Sequence, residues 1–253
     1  MTARALTFGS VAAAYERYRP GYPTELVAEV LTYAGRPVRR ALEIGAGTGK
    51  ATRAFARRDI AVTATDPDAA MLRELAAHVP STVTIAQAAF EDLDPGAPYD
   101  LVFAAAAMHW TEPVGRWERV AALLVPNGTF ANFGGQVNLA DPSVEAAVRA
   151  ARAPFLESDG MPSPDGTPDE SEMQWPGTEL ARSELFTDVR QIPFGRRATV
   201  SAHDHIGHLS TVSAYLQLTP SVRERAFDAI LRALPNKVEV TSDITLHLAR
   251  RAR

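Results

Sequence analysis

The run Glu43-Ile44-Gly45-Ala46-Gly47-Thr48-Gly49-Lys50 joins an apolar segment to a helix-forming one. Its alternating glycines suit a turn whose backbone N–H groups come close to a ligand. Two readings of such a loop fail on spacing. A phosphate-binding loop ending at Gly49-Lys50 needs glycine at Ile44 and Ser or Thr at Ala51. A dinucleotide fingerprint beginning at Gly45 needs glycine at Lys50. Asp66, 21 residues after Gly45, has a carboxylate able to accept from two neighbouring hydroxyls, although Asp66-Pro67-Asp68 also reads as a helix start with Asp66 as its cap. Further along stand the acids Glu91 and Asp92, the pair His109-Trp110, and the run His203-Asp204-His205 with His208. That last cluster has metal-ligand spacing, but a helix N-terminus is the plainer account, and no metal is expected.

These residues need elements to hold them. From residue 38 to 133 short apolar runs alternate with helical stretches, the pattern of βαβ units in a mostly parallel sheet. Strands are expected near 41–44, 61–65, 82–86, 99–104 and 129–133, with helices near 50–57, 69–78 and 114–124. Ligands of such sheets bind beyond the strand carboxyl ends, where Gly45, Asp66 and His109 all fall. The alternation then lapses. Residues 154–178 hold five prolines and six acids, which reads as a mobile surface loop or lid. Strands resume near 189–194 and 238–248 around a helix near 222–234. At the start, Ser10 reads as an N-cap for Val11, Ala14, Tyr15 and Tyr18 at helical spacing, stopped by Arg19-Pro20-Gly21. A helix explains these residues better than a signal peptide.

The pattern E-x-G-x-G-x-G at Glu43 to Gly49 resembles motif I of the class I S-adenosylmethionine (SAM)-dependent methyltransferases, and ALEIGAGTGKATRAFARR looks like their first βα unit. Asp66 then matches the acid that holds the ribose. Ala89-Phe90-Glu91-Asp92-Leu93 is similar to the family's adenine loop, with Glu91 the better-aligned acid. Tyr99 to Phe103 followed by Met108-His109-Trp110 resembles the fourth-strand motif of the methyltransferase type 11 group, including its trans-aconitate-methyltransferase-like members. Where that group often has Gln or Asn three residues before His-Trp, this chain has Ala106. Phe8-Gly9-Ser10, Tyr15, Tyr18-Arg19-Pro20 and Tyr22-Pro23 resemble the group's opening lid. The resemblance covers residues 8 to 133.

It implies an α/β, doubly wound, seven-stranded Rossmann-like methyltransferase sheet, mostly parallel, with an N-terminal lid helix and a helical cap inserted between the last two strands. Residues 1–253 would form one domain, with a core at about 36–135, a loop or lid at about 154–178 and a cap at about 200–235. The implied cofactor is SAM, leaving as S-adenosylhomocysteine, against Tyr15, Tyr18, Arg19, Glu43, Gly45, Ala46, Gly47, Gly49, Asp66, Pro67, Met71, Phe90, Glu91, Asp92, Ala105 and Trp110. The implied acceptor is a small molecule methylated at oxygen, facing His109, Trp110, His208 and Tyr215. His109 would take the proton of a hydroxyl acceptor or serve as a wedge beside Trp110. A carboxylate acceptor would need an Arg instead. A SAM-binding protein without transfer and an NAD-dependent oxidoreductase are the alternatives.

Composition narrows the field further. The chain has 253 residues and no cysteine, which removes disulfides, thiol catalysis and iron–sulfur ligation. Acids and bases balance in both halves, the net charge is −4, and 24 of 26 bases are Arg. No basic stripe points to nucleic acid, and no Asp/Asn/Ser-Pro-Pro-aromatic motif is present. The longest uncharged run, 120–140, is broken by Pro126, Gly128, Gly134 and Gly135, so no membrane span is expected. A cytoplasmic monomer or weak dimer is the expectation.

Overall fold

The computed structural model describes residues 3–160, 162–168 and 170–253. Five parallel strands lie in the order β3 (Thr84–Gln87), β2 (Ala61–Asp66), β1 (Arg40–Ile44), β4 (Tyr99–Ala105), β5 (Leu124–Gly134). Successive residues of β4 enter opposite cores, as a doubly covered sheet requires. Leu101 and Phe103 pack with Val30, Phe55 and Leu75, whereas Val102 and Ala104 pack with Met108, Val120 and Leu123. The first group brings in helices α2 (Thr24–Ala34), α3 (Lys50–Ala56) and α4 (Ala69–Ala76), and the second brings in α5 (Arg116–Leu123). The Phe55 and Phe103 rings meet at 4.3 Å between centroids. Truncating either to Ala would cost ~3–5 kcal/mol.

The sheet has eight strands, not the seven expected. The additional one, β6 (Val137–Leu139), continues the β5 side of β8 (Lys237–Arg251), which is antiparallel to both. Between the two, the backbone at Gly135 passes so close to β8 that an added Cβ would stand 2.0 Å from the Asp243 carbonyl oxygen. The opposite edge of β8 carries β7 (Phe186–Ser201), also antiparallel.

Near the N-terminus a 3-10 turn over Ala3–Val11 leads into α1 (Ala12–Tyr18). Ser10 does not cap it. Its hydroxyl donates to the Thr7 carbonyl at 2.8 Å, and Val11 occupies the cap position without a side-chain bond. Helix α6 (Pro142–Arg152) went unread, although Asp141 caps it by accepting from Ser143 N at 2.8 Å and Pro142 opens its first turn. After α6 no helix or strand forms among the described residues until α7 (Gly177–Arg182). Between β7 and β8 lie α8 (Ala202–Leu209), α9 (Ser213–Leu216) and α10 (Pro220–Ala233). With α6 they bury Val148, Leu209, Tyr215 and Ile230 in a third cluster. No helix of the described residues is long and apolar enough to cross a membrane.

Candidate active site

The glycine loop divides its tasks. Gly45 has φ +65°, and a Cβ there would lie 2.5 Å from Ala107 Cβ, so the loop nests against the turn after β4 only without a side chain. At Gly47, φ +54°, an added Cβ would meet nothing within 4 Å, and bare backbone faces a crevice. Asp66, at the end of β2, spans this loop and the next. Its two carboxylate oxygens accept from Gly47 N and Asp68 N, each at 2.9 Å. Burial raises its carboxyl above the ordinary carboxylate range. The alternative reading of Asp66 as a helix cap is overturned, because Asp68 caps α4 by accepting from Ala70 N and Met71 N at 2.7 and 3.3 Å.

Behind the loop Glu43 is 1% exposed. Its Oε2 accepts from the Thr52 hydroxyl at 2.5 Å, while Oε1 is buried without a partner. Burial pushes this carboxyl up to about 8. It borders a recess of about 70 Å³ shared with Tyr15, Arg19, Gly45 and Ala46.

The N-terminal segment forms the roof. Glu16 accepts from Arg53 at 2.8 Å, and Lys50 Nζ donates to the Glu16 carbonyl at 2.6 Å, clamping α1 onto the glycine loop. Arg19 bridges the other way, donating to the Thr211 hydroxyl at 2.8 Å and the Thr211 carbonyl at 2.9 Å. Phe8 stands edge-on to Tyr15 and Trp110, with centroids 6.1 and 5.9 Å apart. These three rings form one aromatic wall.

The main crevice has a volume of about 470 Å³. Of the sequence-predicted residues it gathers Tyr15, Arg19, Gly45, Gly47, Asp66, Pro67, Met71, Ala105, His109, Trp110 and His208. Glu43 and Ala46 reach only the adjoining recess. Others lie elsewhere for identifiable reasons. The Tyr18 ring covers Gly207 of α8, where a Cβ would fall 2.5 Å from it. Gly49 starts α3 against Leu75. Phe90 is core and Glu91 accepts from Glu112 N at 2.7 Å, so the turn Phe90–Asp92 leans toward α5, with Asp92 exposed. Tyr215 is buried with its hydroxyl donating to Asp159 at 3.1 Å.

The far wall is made of Asn132, Arg152, Asp159, Trp175, His205 and His247, of which the sequence reading singled out only His205, in a possible metal cluster, and Trp175, as a lid residue. Arg152 is ion-paired to Asp159. The His205 and His208 rings stack at 6.5 Å, and burial holds His205 low and His208 down to about 3, so both are neutral. Ala106 takes the left-handed conformation at φ +54° and donates to Phe133 O at 2.8 Å. Among the described residues no group of three or more His, Asp or Glu side chains is placed to hold a metal ion.

A family model described as a methyltransferase domain matches residues 42–130. An uncharacterized methyltransferase of Mycobacterium tuberculosis is 43% identical over 124 residues, 49% of this chain and 49% of its own length. A Saccharomyces cerevisiae protein named as a probable S-adenosylmethionine-dependent methyltransferase, CRG1, is 32% identical over 126 residues, 47% of this chain and 43% of its own. The chain thus spans about half the length of the curated relatives it matches. Over 92% of this chain and 98% of the other, the fold superposes on the structure of a protein described as a putative type II methyltransferase from Anaeromyxobacter dehalogenans, with TM-score 0.63 and 25% identity. Motif, sequence match and sheet order agree: residues 42–130 match a methyltransferase domain, and the chain as a whole is similar in fold to the class I SAM-dependent methyltransferases.

Proposed function

We propose that this chain transfers the methyl group of SAM to a hydroxyl of a small molecule. The observation that carries this reading is the meeting, beside one crevice, of the open backbone at Gly47, the Asp66 carboxylate and the unpartnered oxygen of Glu43. The residues fit such a ligand. Asp66 uses one lone pair on each oxygen for backbone N–H groups, leaving two to accept ribose hydroxyls. Glu43 presents a buried acid to the methionine ammonium, and the Phe8, Tyr15 and Trp110 rings offer faces to a sulfonium cation. SAM supplies an electrophilic methyl and its own leaving group, so the chain has to hold, orient and exclude water.

The crevice wall favours a hydroxyl over a carboxylate acceptor. Of the two arginines that line it, Arg152 is neutralised by Asp159, and Arg19 is turned toward Thr211, to which it donates two N–H groups. The histidines His205 and His208 are held neutral. His109 and Trp110, rings 4.5 Å apart, wall the junction between the cofactor and acceptor halves. Calorimetry should give micromolar SAM binding without an NAD response, and labelled-methyl turnover should appear with phenols before carboxylic acids. NAD binding without SAM binding would end the reading, and transfer to acids alone would reject the acceptor class.

A further inference from the structure

One row of side chains crosses the carboxyl-end margin of the sheet in register: Ile44, Ala104, Asn132, His247, Gln191. Its first two members are apolar and its last three polar, and Asn132 and His247 line the crevice. The His247 ring is 2% exposed and is held on two edges. Its Nε2 lies 2.8 Å from Gln191 Oε1. That oxygen already accepts from Gln174 N at 2.7 Å, while the Gln191 amide donates to the Glu172 carbonyl at 3.0 Å. The amide orientation is therefore fixed, Gln191 can only accept from the ring, and His247 is the Nε2–H tautomer. On the Cδ2 edge lies Gly177, where a Cβ would come within 2.8 Å. The remaining edge carries Nδ1, a lone-pair nitrogen buried with no hydrogen-bond partner.

Trp175 also lines the crevice, between Gln174 and Gly177, the two residues that abut the His247–Gln191 pair. Its indole N–H is likewise buried without a partner. An unpaired acceptor and an unpaired donor on one stretch of wall complement a hydroxyl, which donates and accepts at once.

We propose that His247 is a catalytic residue that receives the acceptor's O–H hydrogen at Nδ1, with Trp175 donating to the same oxygen, an inference that rests on the hydroxyl-methylation reading above. An oxygen lone pair forms the new C–O bond while the C–S bond breaks with its electrons passing to sulfur. The hydroxyl proton passes to Nδ1, and the resulting imidazolium releases it to solvent. Burial holds the ring down to about 4, so Nδ1 keeps its lone pair at neutral pH. A protonated ether is a far stronger acid than an imidazolium, so this weakened base suffices.

The test uses the full chain, nitrogen-15 labelled at histidine and saturated with S-adenosylhomocysteine, titrated with a panel of simple phenols. The His247 Nδ1 resonance should move on phenol addition while the Nε2–H signal persists. His247→Gln, whose amide N–H can still donate to Gln191, should bind SAM within twofold of the wild type and lower kcat for phenols about a hundredfold, with KM changed by less than threefold. An Nδ1 signal unmoved across the panel, or a His247→Gln kcat within twofold, overturns the assignment while SAM binding persists. Failure of the wild type to bind SAM overturns the functional reading beneath it.

Discussion

Gly47 donates its backbone N–H to Asp66 Oδ2 at 2.9 Å, so the acid proposed to hold the cofactor also fixes the loop that must cradle it. Replacing Asp66 by Ala should remove a charge-assisted acceptor and loosen the Gly47 turn together. SAM affinity should fall by ~1–3 kcal/mol, measured calorimetrically, with cooperative thermal unfolding retained. Asp68→Ala separates the two acids, since it deletes the α4 cap at ~1 kcal/mol of stability without touching Gly47. Equal losses of affinity in both variants would show that Asp66 acts only through the helix start.

Glu43 makes pH a probe of the recess. Its folded carboxyl is raised to about 8 by burial, above its unfolded value, so its contribution to stability is fully present below the unfolded value. It is lost as pH rises toward the folded value. The ligand-free melting temperature should therefore decline from pH 5 to 8, and Glu43→Gln should flatten that decline. An ammonium placed against Glu43 ionises it, so SAM binding at pH 7 should release a proton. Calorimetry in buffers of different ionisation enthalpy would detect this, and the proton should vanish in Glu43→Gln.

Ala106 holds φ +54°, a conformation that costs residues bearing a Cβ ~1–2 kcal/mol. Ala106→Gly should stabilise the chain by ~0.5–1 kcal/mol in urea titration, after the entropy lost by glycine is subtracted. A destabilised Ala106→Gly would mean that the methyl's packing against Gly134 outweighs the strain.

Asp159 ties the segment after α6 to two helices, through Arg152 and through the Tyr215 hydroxyl. Asp159→Ala leaves a guanidinium that is 9% exposed without its charge partner. A glutamyl-specific protease should then cut at Glu157 or Glu172 at least tenfold faster than in the wild type, read by mass spectrometry before any change in global unfolding.

How much of this was legible in the sequence depended on local chemistry. The five parallel strands and the Gly45, Gly47 and Asp66 cradle could be read because alternating βα periodicity and glycine spacing are properties of neighbouring residues. Phe90, Glu91 and Asp92 were expected at the cofactor from their resemblance to the family's adenine loop, whereas the bond from Glu112 N to Glu91, made across 21 residues, has no local signature. Most of the far wall was invisible for the same reason. Arg152 and Asp159 become a pair only when α6 turns back, and His247 becomes a crevice residue only once β8 inserts beside β5. A signal did exist for His247, a lone polar side chain inside the apolar run Leu246-His247-Leu248.

The position of β8 between β5 and β7 has a consequence for biogenesis. The first five strands can assemble as the polypeptide emerges, whereas β7, sixteen residues long and paired among the described residues only with β8, must wait for β8 to be translated. During that interval it presents an open ladder of amides and carbonyls to other nascent chains. Slow synthesis through residues 202–236 should therefore raise the demand for chaperones more than a pause anywhere within the first 134 residues.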